Sequence, residues 1–326
     1  MSIRRILVAG LLLVLVALSG AYHVLFVADS IPERSSLTID WERVRTLAGA
    51  VDEGPRAIRS EVVAHGYFYG WMICAGCGWG EVPMEFRTYQ LVYGDGKTVV
   101  VDAVHDAERH ASMPTMREYD AQAFARQTQA LRRADRILLT HEHWDHANGL
   151  RAVIGDPKVR ERMLIPDAQR NSQAIRDAGL TESEIASLPE VADVDYRAVA
   201  PGVVALAMAG HTPGSQVVYV RRSDGAEYLM LGDIVWSARN LRERRGKSRL
   251  ISWVAGEDRG ALLDQIAYFA DLAASDRAQP PQWRFVVAHD PEQNAALIKD
   301  GWIESGLMLD MNAGRGPRTT PPMDGG

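Results

Sequence analysis

The segment RILLTHEHWDHANGL, Arg136–Leu150, places His141, His143, Asp145 and His146 within six positions directly behind a short run of β-formers. The whole chain holds nine histidines, so three in one turn ask for a cause. Imidazoles and a carboxylate crowded together are costly to bury unless a cation satisfies them. The cluster is therefore either a metal site or a solvated loop. RILLT itself reads as a short buried strand with the cluster as its C-terminal loop. Before it, Thr115–Arg133 is free of Gly and Pro and rich in Ala, Gln, Arg and Leu, which predicts a helix.

Working outward, EVVAHGYFYG (Glu61–Gly70) reads as a strand, and FRTYQLVYGDGKTVVVDAV (Phe86–Val104) as two more joined by the turn GDGK. RMLIP (Arg162–Pro166) is a further expected strand, followed by helices over Asp167–Ala178 and Thr181–Leu188. YRAVAPGVVALAMAG, SQVVYVRR and AEYLMLGD continue as strands. A helix over Arg259–Ala273, the strand RFVVAHD and a helix over Pro291–Lys299 complete the body. Strands and helices alternate in two halves, each a meander followed by helices. That pattern predicts an α/β fold of sheets covered by helices on their outer faces, in one compact body.

The chain has 326 residues, 47% hydrophobic and 24% charged, enough for a large core. Its net charge of -6 offers no broad positive field, which argues against a nucleic-acid partner. Residues 1–28 stand apart. Arg4 and Arg5 precede an apolar run from Ile6 to Leu18, and LSGA offers a signal-peptide cleavage point after Ala21. The apolar character resumes through Ala28, however, long enough in total for an uncleaved membrane anchor. Both readings export the body, leaving it periplasmic or anchored to the inner membrane facing outward. Residues 29–60 read as a connector and 310–326, rich in Gly, Pro and Thr, as a disordered tail. The two cysteines, Cys74 and Cys77, fit a tight local disulfide in an exported chain, with a redox dithiol or half of a zinc site as the alternatives.

Three more segments end predicted strands with metal-binding side chains: AGHTPGS with His211, LMLGD with Asp233 and VVAHDPEQ with His289. Strand ends are where distant parts of a chain converge on one cavity. Five imidazoles and two carboxylates suit zinc and similar ions, and are too many for one tetrahedral ion. The expected division is His141, His143 and His211 on one metal, Asp145, His146 and His289 on the other, and Asp233 bridging. Zinc leads the cofactor expectation, with manganese, iron and cobalt accepting the same donors.

These residues carry a resemblance. His141, His143, Asp145 and His146 match H-x-H-x-D-H, and His211, Asp233 and His289 match the later His, Asp and His, of the metallo-β-lactamase superfamily. The chain is similar to that family from Glu61 to Lys299. The resemblance implies an αβ/βα four-layer sandwich, two mixed β-sheets flanked by helices, in a hydrolase domain over 61–309 with a dimetal site at one edge. It also implies that Asp102, closing TVVVDA, orients a ligand histidine. GHTPGSQ, the 22-residue step from His211 to Asp233, and HDPEQ look most like the N-acyl-homoserine lactonases. Those enzymes place a Tyr three residues after the bridging Asp, where this chain has Trp236.

The expected function is hydrolysis of a lactone or related carboxylic ester by a metal-bridging hydroxide, with Asp145 relaying the proton. Trp144 and Trp236 are candidate walls of an acyl pocket. The basic run RNLRERRGKSRL, Arg239–Leu250, reads either as a solvated face or as a holder of an anionic substrate group or lipid phosphate. Two alternatives stand beside the lactonase reading. One is a phosphate, sulfate or thioester hydrolase of the same fold; the other is a metal-stabilised binding protein without turnover.

Overall fold

The computed structural model describes residues 3–275 and 282–309, so the expected tail over 310–326 lies outside the described residues. Eleven strands among the described residues form two sheets. The first contains β1 (Ala57–Tyr69), β2 (Glu81–Val92), β3 (Thr98–Val101), β4 (Met116–Tyr119), β5 (Arg136–Leu138) and β11 (Glu304–Ser305), in the order β11-β1-β2-β3-β5 with β4 paired to β1. The second contains β6 (Tyr196–Ala200), β7 (Val203–Ala207), β8 (Gln216–Arg221), β9 (Glu227–Met230) and β10 (Trp283–Val286), in the order β10-β9-β8-β7-β6. Both sheets are mainly antiparallel, with parallel pairings at the ends of their paths: β1 with β11 and β3 with β5 in the first, β9 with β10 in the second.

Strand alternation dictates the layering. In β3, Val99 and Val101 face the other sheet while Val100 faces outward; in β8, Val218 and Val220 face inward while Val217 and Tyr219 face outward. The inward residues, with Ile58, Leu91, Leu138, Val203, Tyr228 and Met230, make a dry seam between the sheets. The outer face of the first sheet buries Leu131 of the helix Ala121–Arg133, and that of the second buries Leu262, Ile266 and Phe269 of the helix Arg259–Ser275. The result is the expected four-layer αβ/βα sandwich.

Several local expectations change. Thr115–Arg133 is not one helix: Met116–Tyr119 pairs with β1, and Asp120 then caps the helix by accepting from the backbone N–H groups of Gln122 and Ala123. Arg162–Pro166 contributes only a bridge between Ile137 and Met163, because its neighbours turn away at once. The helix expected over Asp167–Ala178 breaks at Ser172, whose hydroxyl caps a second segment, Gln173–Asp177. The connector is structured, with a helix Trp41–Leu47 packed on the second sheet. Cys74 and Cys77 close as a disulfide.

At the N-terminus, Ile3–Val27 is the one helix among the described residues long and apolar enough to cross a membrane, and its apolar window is wholly exposed. Its last turn, His23–Val27, is built onto the body: Phe26 packs on Trp71 and Trp79 at 5.3 and 5.1 Å, and Gly76 N–H donates to Phe26 O.

Candidate metal centre

Each of the seven side chains stands past the C-terminal end of a strand: His141, His143, Asp145 and His146 after β5, His211 after β7, Asp233 after β9 and His289 after β10. Backbone hydrogen bonds tie these ends together, from Gln216 N to Thr140 O, Leu231 N to Val286 O and Ala103 N to His146 O. The turn holding Asp233 presses against the turn holding His141. Gly232 sits there at φ 52°, and a Cβ on it would lie 2.9 Å from Thr140 Cβ, so both its conformation and its contact favour glycine.

The geometry sorts the side chains into two sets. Ligand atoms of His141, His143 and His211 lie within 4.8 Å of one another, as do those of Asp145, His146, Asp233 and His289. Asp233 faces both. Its Oδ2 lies 3.4 Å from His211 Nε2 and 3.8 Å from His141 Nε2, while its Oδ1 lies 3.1 Å from His289 Nε2 and 3.4 Å from His146 Nε2. Asp145 Oδ2 is 3.5 Å from His289 Nε2.

The donor set fits divalent cations. His141 Nε2 and Asp233 Oδ1 are buried without a hydrogen-bond partner. Ring nitrogens also come together, His143 Nδ1 and His211 Nε2 at 2.8 Å and His146 Nε2 and His289 Nε2 at 3.2 Å, so the atoms that would bind an ion already point to common centres. Burial, aided by neighbouring imidazoles, holds His141 well below the usual histidine range and His143 at about 3, so both are neutral donors at pH 7. Burial also opposes charge on His146, but Asp102, Asp145 and Asp233 outweigh it and hold the ring well above that range. For Asp233, burial is outweighed by His289, His141 and His146, and its carboxyl stays ionised.

Surrounding groups aim these donors. Asp102 accepts from His146 Nδ1 at 2.8 Å and from Thr140 N at 2.6 Å, which leaves His146 Nε2 facing the centre. Asp102 has φ 65°, a left-handed backbone costing about 1–2 kcal/mol in a non-glycine residue, held in place by these bonds. His289 Nδ1 donates to Glu85 O at 2.9 Å.

Two aiming residues escaped the sequence reading. Glu257 Oε1 lies 2.6 Å from both His211 Nδ1 and Lys247 Nζ, and Lys247 also donates to Asp233 O at 3.1 Å. Lys247 belongs to the basic run read as solvent-facing or ligand-holding, yet it is 3% exposed and lies 4.1 Å from the centroid of the Trp236 ring. No spacing or motif distinguishes it from the exposed Arg239, Arg242 and Arg249 of that run. The Lys247 ammonium and the His211 ring outweigh burial and hold the Glu257 carboxyl far below its usual range, although burial is the largest single influence.

Trp236 Nε1 donates to Asp233 Oδ2 at 2.5 Å, and its ring stacks on Phe68. Its donor is thus engaged with the metal-facing carboxylate. Trp144 turns toward His105, 4.8 Å between ring centroids, with the Arg109 guanidinium over its face. A groove of about 230 Å³ runs beside the centre, lined by Met84, Trp236, Asp290 and, from the basic run, Arg239 and Arg242.

Among solved structures, the fold is similar to a quorum-quenching N-acyl homoserine lactone lactonase (TM-score 0.57, 16% identity, covering 75% of this chain and 96% of that one). It is also similar to a probable metal-dependent hydrolase from Staphylococcus aureus (TM-score 0.54, 13% identity, covering 73% and 90%). A curated relative, an N-acyl homoserine lactonase from a Bacillus species, is 29% identical over 105 residues, 32% of this chain and 40% of that protein. The chain thus matches less than half the length of that relative. Residues 86–289, which carry all seven clustered side chains, match the family model, and the chain belongs to the metallo-beta-lactamase superfamily.

Proposed function

We propose that the protein is a dinuclear metal-dependent hydrolase that opens a lactone or related carboxylic ester. The observation that carries this reading is Asp233, whose two oxygens each face a different set of histidines. His141, His143 and His211 would hold one ion, Asp145, His146 and His289 the other, with Asp233 between, and zinc suits these donors best. Bound there, two divalent ions supply Lewis acidity and a water acidic enough to ionise near neutral pH.

The chain's own residues do the rest. Trp236 fixes one oxygen of Asp233, Asp102 and Glu257 fix two imidazole rings, and burial of the cage keeps water from screening the charges. Asp145, whose Oδ2 faces His289 and His146, is read as the carrier of the proton from the attacking water to the departing alkoxide. A lactone binds in the groove beside Trp236 and Asp290. Arg239 and Arg242 on that groove favour, as a second reading, an ester with an anionic phosphate or sulfate group.

The helix Ile3–Val27 is read as a retained anchor, holding the body outside the cytoplasm on the side opposite Arg4 and Arg5. Its apolar exposure and its built-in last turn support that reading.

The test measures metal content and ester opening by pH-stat across lactones, carboxylic esters, thioesters, phosphates and sulfates, with His143→Ala as reference. About two equivalents of metal, and lactone opening lost in the variant, are expected. Metal-replete protein inert on every ester class would leave a metal-stabilised binding protein.

A further inference from the structure

We infer that the folded body carries its own membrane-docking face, built from the helix Arg249–Val254 and the disulfide loop, and that this face seats the body on the bilayer its N-terminal helix crosses. The inference rests on the anchor reading and adds to it a second, non-covalent attachment.

Trp253 and Val254, consecutive residues at the end of that helix, are 79% and 65% exposed, and Trp79 beside the disulfide loop is 55% exposed. Exposed tryptophans at the end of a candidate membrane span have the amphipathic character that favours the headgroup region. Their position is set by the span itself. The turn His23–Val27 packs beside the helix Arg249–Val254, and Phe26 packs on Trp79.

A second set of contacts makes the junction stiff. Asp29, two residues past the last turn, accepts from Gly246 N at 2.6 Å and pairs with Arg259 at 2.9 Å. Ala75 N donates to Gly246 O, and Arg245 donates to Ala75 O. The span therefore leaves the body at a fixed place, next to the exposed tryptophans, instead of through a loose tether.

The charge agrees. Arg249 is exposed in the first turn of this helix and makes no salt bridge among the described residues, so it is free to meet lipid phosphate. The opposite edge of the helix is committed: Ile251 packs against the cluster that holds Trp236, Phe68 and Met72. One short helix thus joins the proposed lipid face to the wall of the metal centre.

The test uses the full chain in liposomes of phosphatidylethanolamine and phosphatidylglycerol, with part of the lipid brominated on its acyl chains. Val254→Cys carries an environment-sensitive fluorophore, Cys74 and Cys77 being tied in their disulfide. Asp224→Cys, in the turn between β8 and β9 at the end of the second sheet away from the metal-facing residues, is the control. Bromolipid is expected to reduce emission at 254 at least twofold and to leave 224 unchanged. If 254 behaves like 224 while the protein resists carbonate extraction, the docking face is refuted and the anchor stands. If the protein is extracted by carbonate, both fail. A label at 254 that is shielded from aqueous quencher yet insensitive to bromolipid would show a protein partner there and overturn the proposal.

Discussion

Replacing Glu257 by glutamine tests the buried network behind His211. The carboxylate faces two groups at 2.6 Å, the His211 ring and the Lys247 ammonium, and Lys247 is 3% exposed. Glu257→Gln leaves that ammonium buried beside Trp236 with neutral acceptors, the new amide oxygen and the Asp233 carbonyl, and no counter-charge. Breaking a buried pair from one side costs about 3–5 kcal/mol. For a chain of this size that lowers the unfolding midpoint by roughly 4–8 °C. Lys247→Met removes the stranded charge, so the double variant should recover most of the loss, and the cycle should show a coupling of at least about 2 kcal/mol. Metal affinity separates aiming from stability: loss of the carboxylate behind a ligand histidine costs about 10–100-fold. It is read by competition with a chromophoric chelator on folded protein at a temperature well below the transition, and the double variant should not regain it. Additive stability losses, or unchanged metal affinity in Glu257→Gln, would refute the assignment of Glu257 as the group that orients His211.

Three further outcomes follow from the same geometry. Asp102→Asn should weaken metal binding about 10–100-fold while keeping the left-handed backbone, whereas Asp102→Ala should cost about 1 kcal/mol more in urea unfolding; equal stabilities would show that φ is not the constraint. Trp236→Phe keeps the stack on Phe68 but removes a charge-assisted hydrogen bond of about 1.5–3 kcal/mol from Asp233, so chelator competition should report about tenfold weaker metal or more, and unchanged affinity would dismiss the bond as an aiming device. Glu227 is buried, but Arg45 and Tyr219 outweigh that burial and lower its carboxyl. Its stabilisation is thus full above the ordinary glutamate range and lost as pH falls below it, so Glu227→Gln should flatten the acid limb of the stability curve, and an unaltered slope would place that limb elsewhere.

The convergence of the seven histidine and aspartate side chains was legible because their chemistry and their position were written together: each follows a run of β-formers, and imidazole and carboxylate side chains are rare in such company. The layering was legible for a related reason, since Val99–Val101 and Val217–Val220 alternate between two dry faces and read as strands buried on both sides. Lys247 was not legible. It lies among five arginines between Arg239 and Arg249, and what buries it is the approach of Glu257 and Trp236, contacts that no local pattern encodes. The break between Met116–Tyr119 and the helix after it was partly legible, because Asp120 is a good capping residue, but a helix-favouring composition on both sides hid it. Trp41–Leu47 was hidden by its neighbours too: Asp40 caps it, yet the polar stretch before it reads as a linker until the second sheet supplies something for Val44 to cover.

Both sets of metal-facing side chains draw from both halves of the sandwich: His141 and His143 with His211, and Asp145 and His146 with Asp233 and His289. A cation shared in this way is a rivet through two plates. Elsewhere the plates meet mainly through greasy, undirected contact along their seam, with a few directed bonds such as Gln216 N to Thr140 O, and such a seam resists separation better than it resists sliding. The rivet opposes sliding, so the same ions that would activate water also fix the register of the sheets, and a chelator would slacken the whole frame as it silences the chemistry.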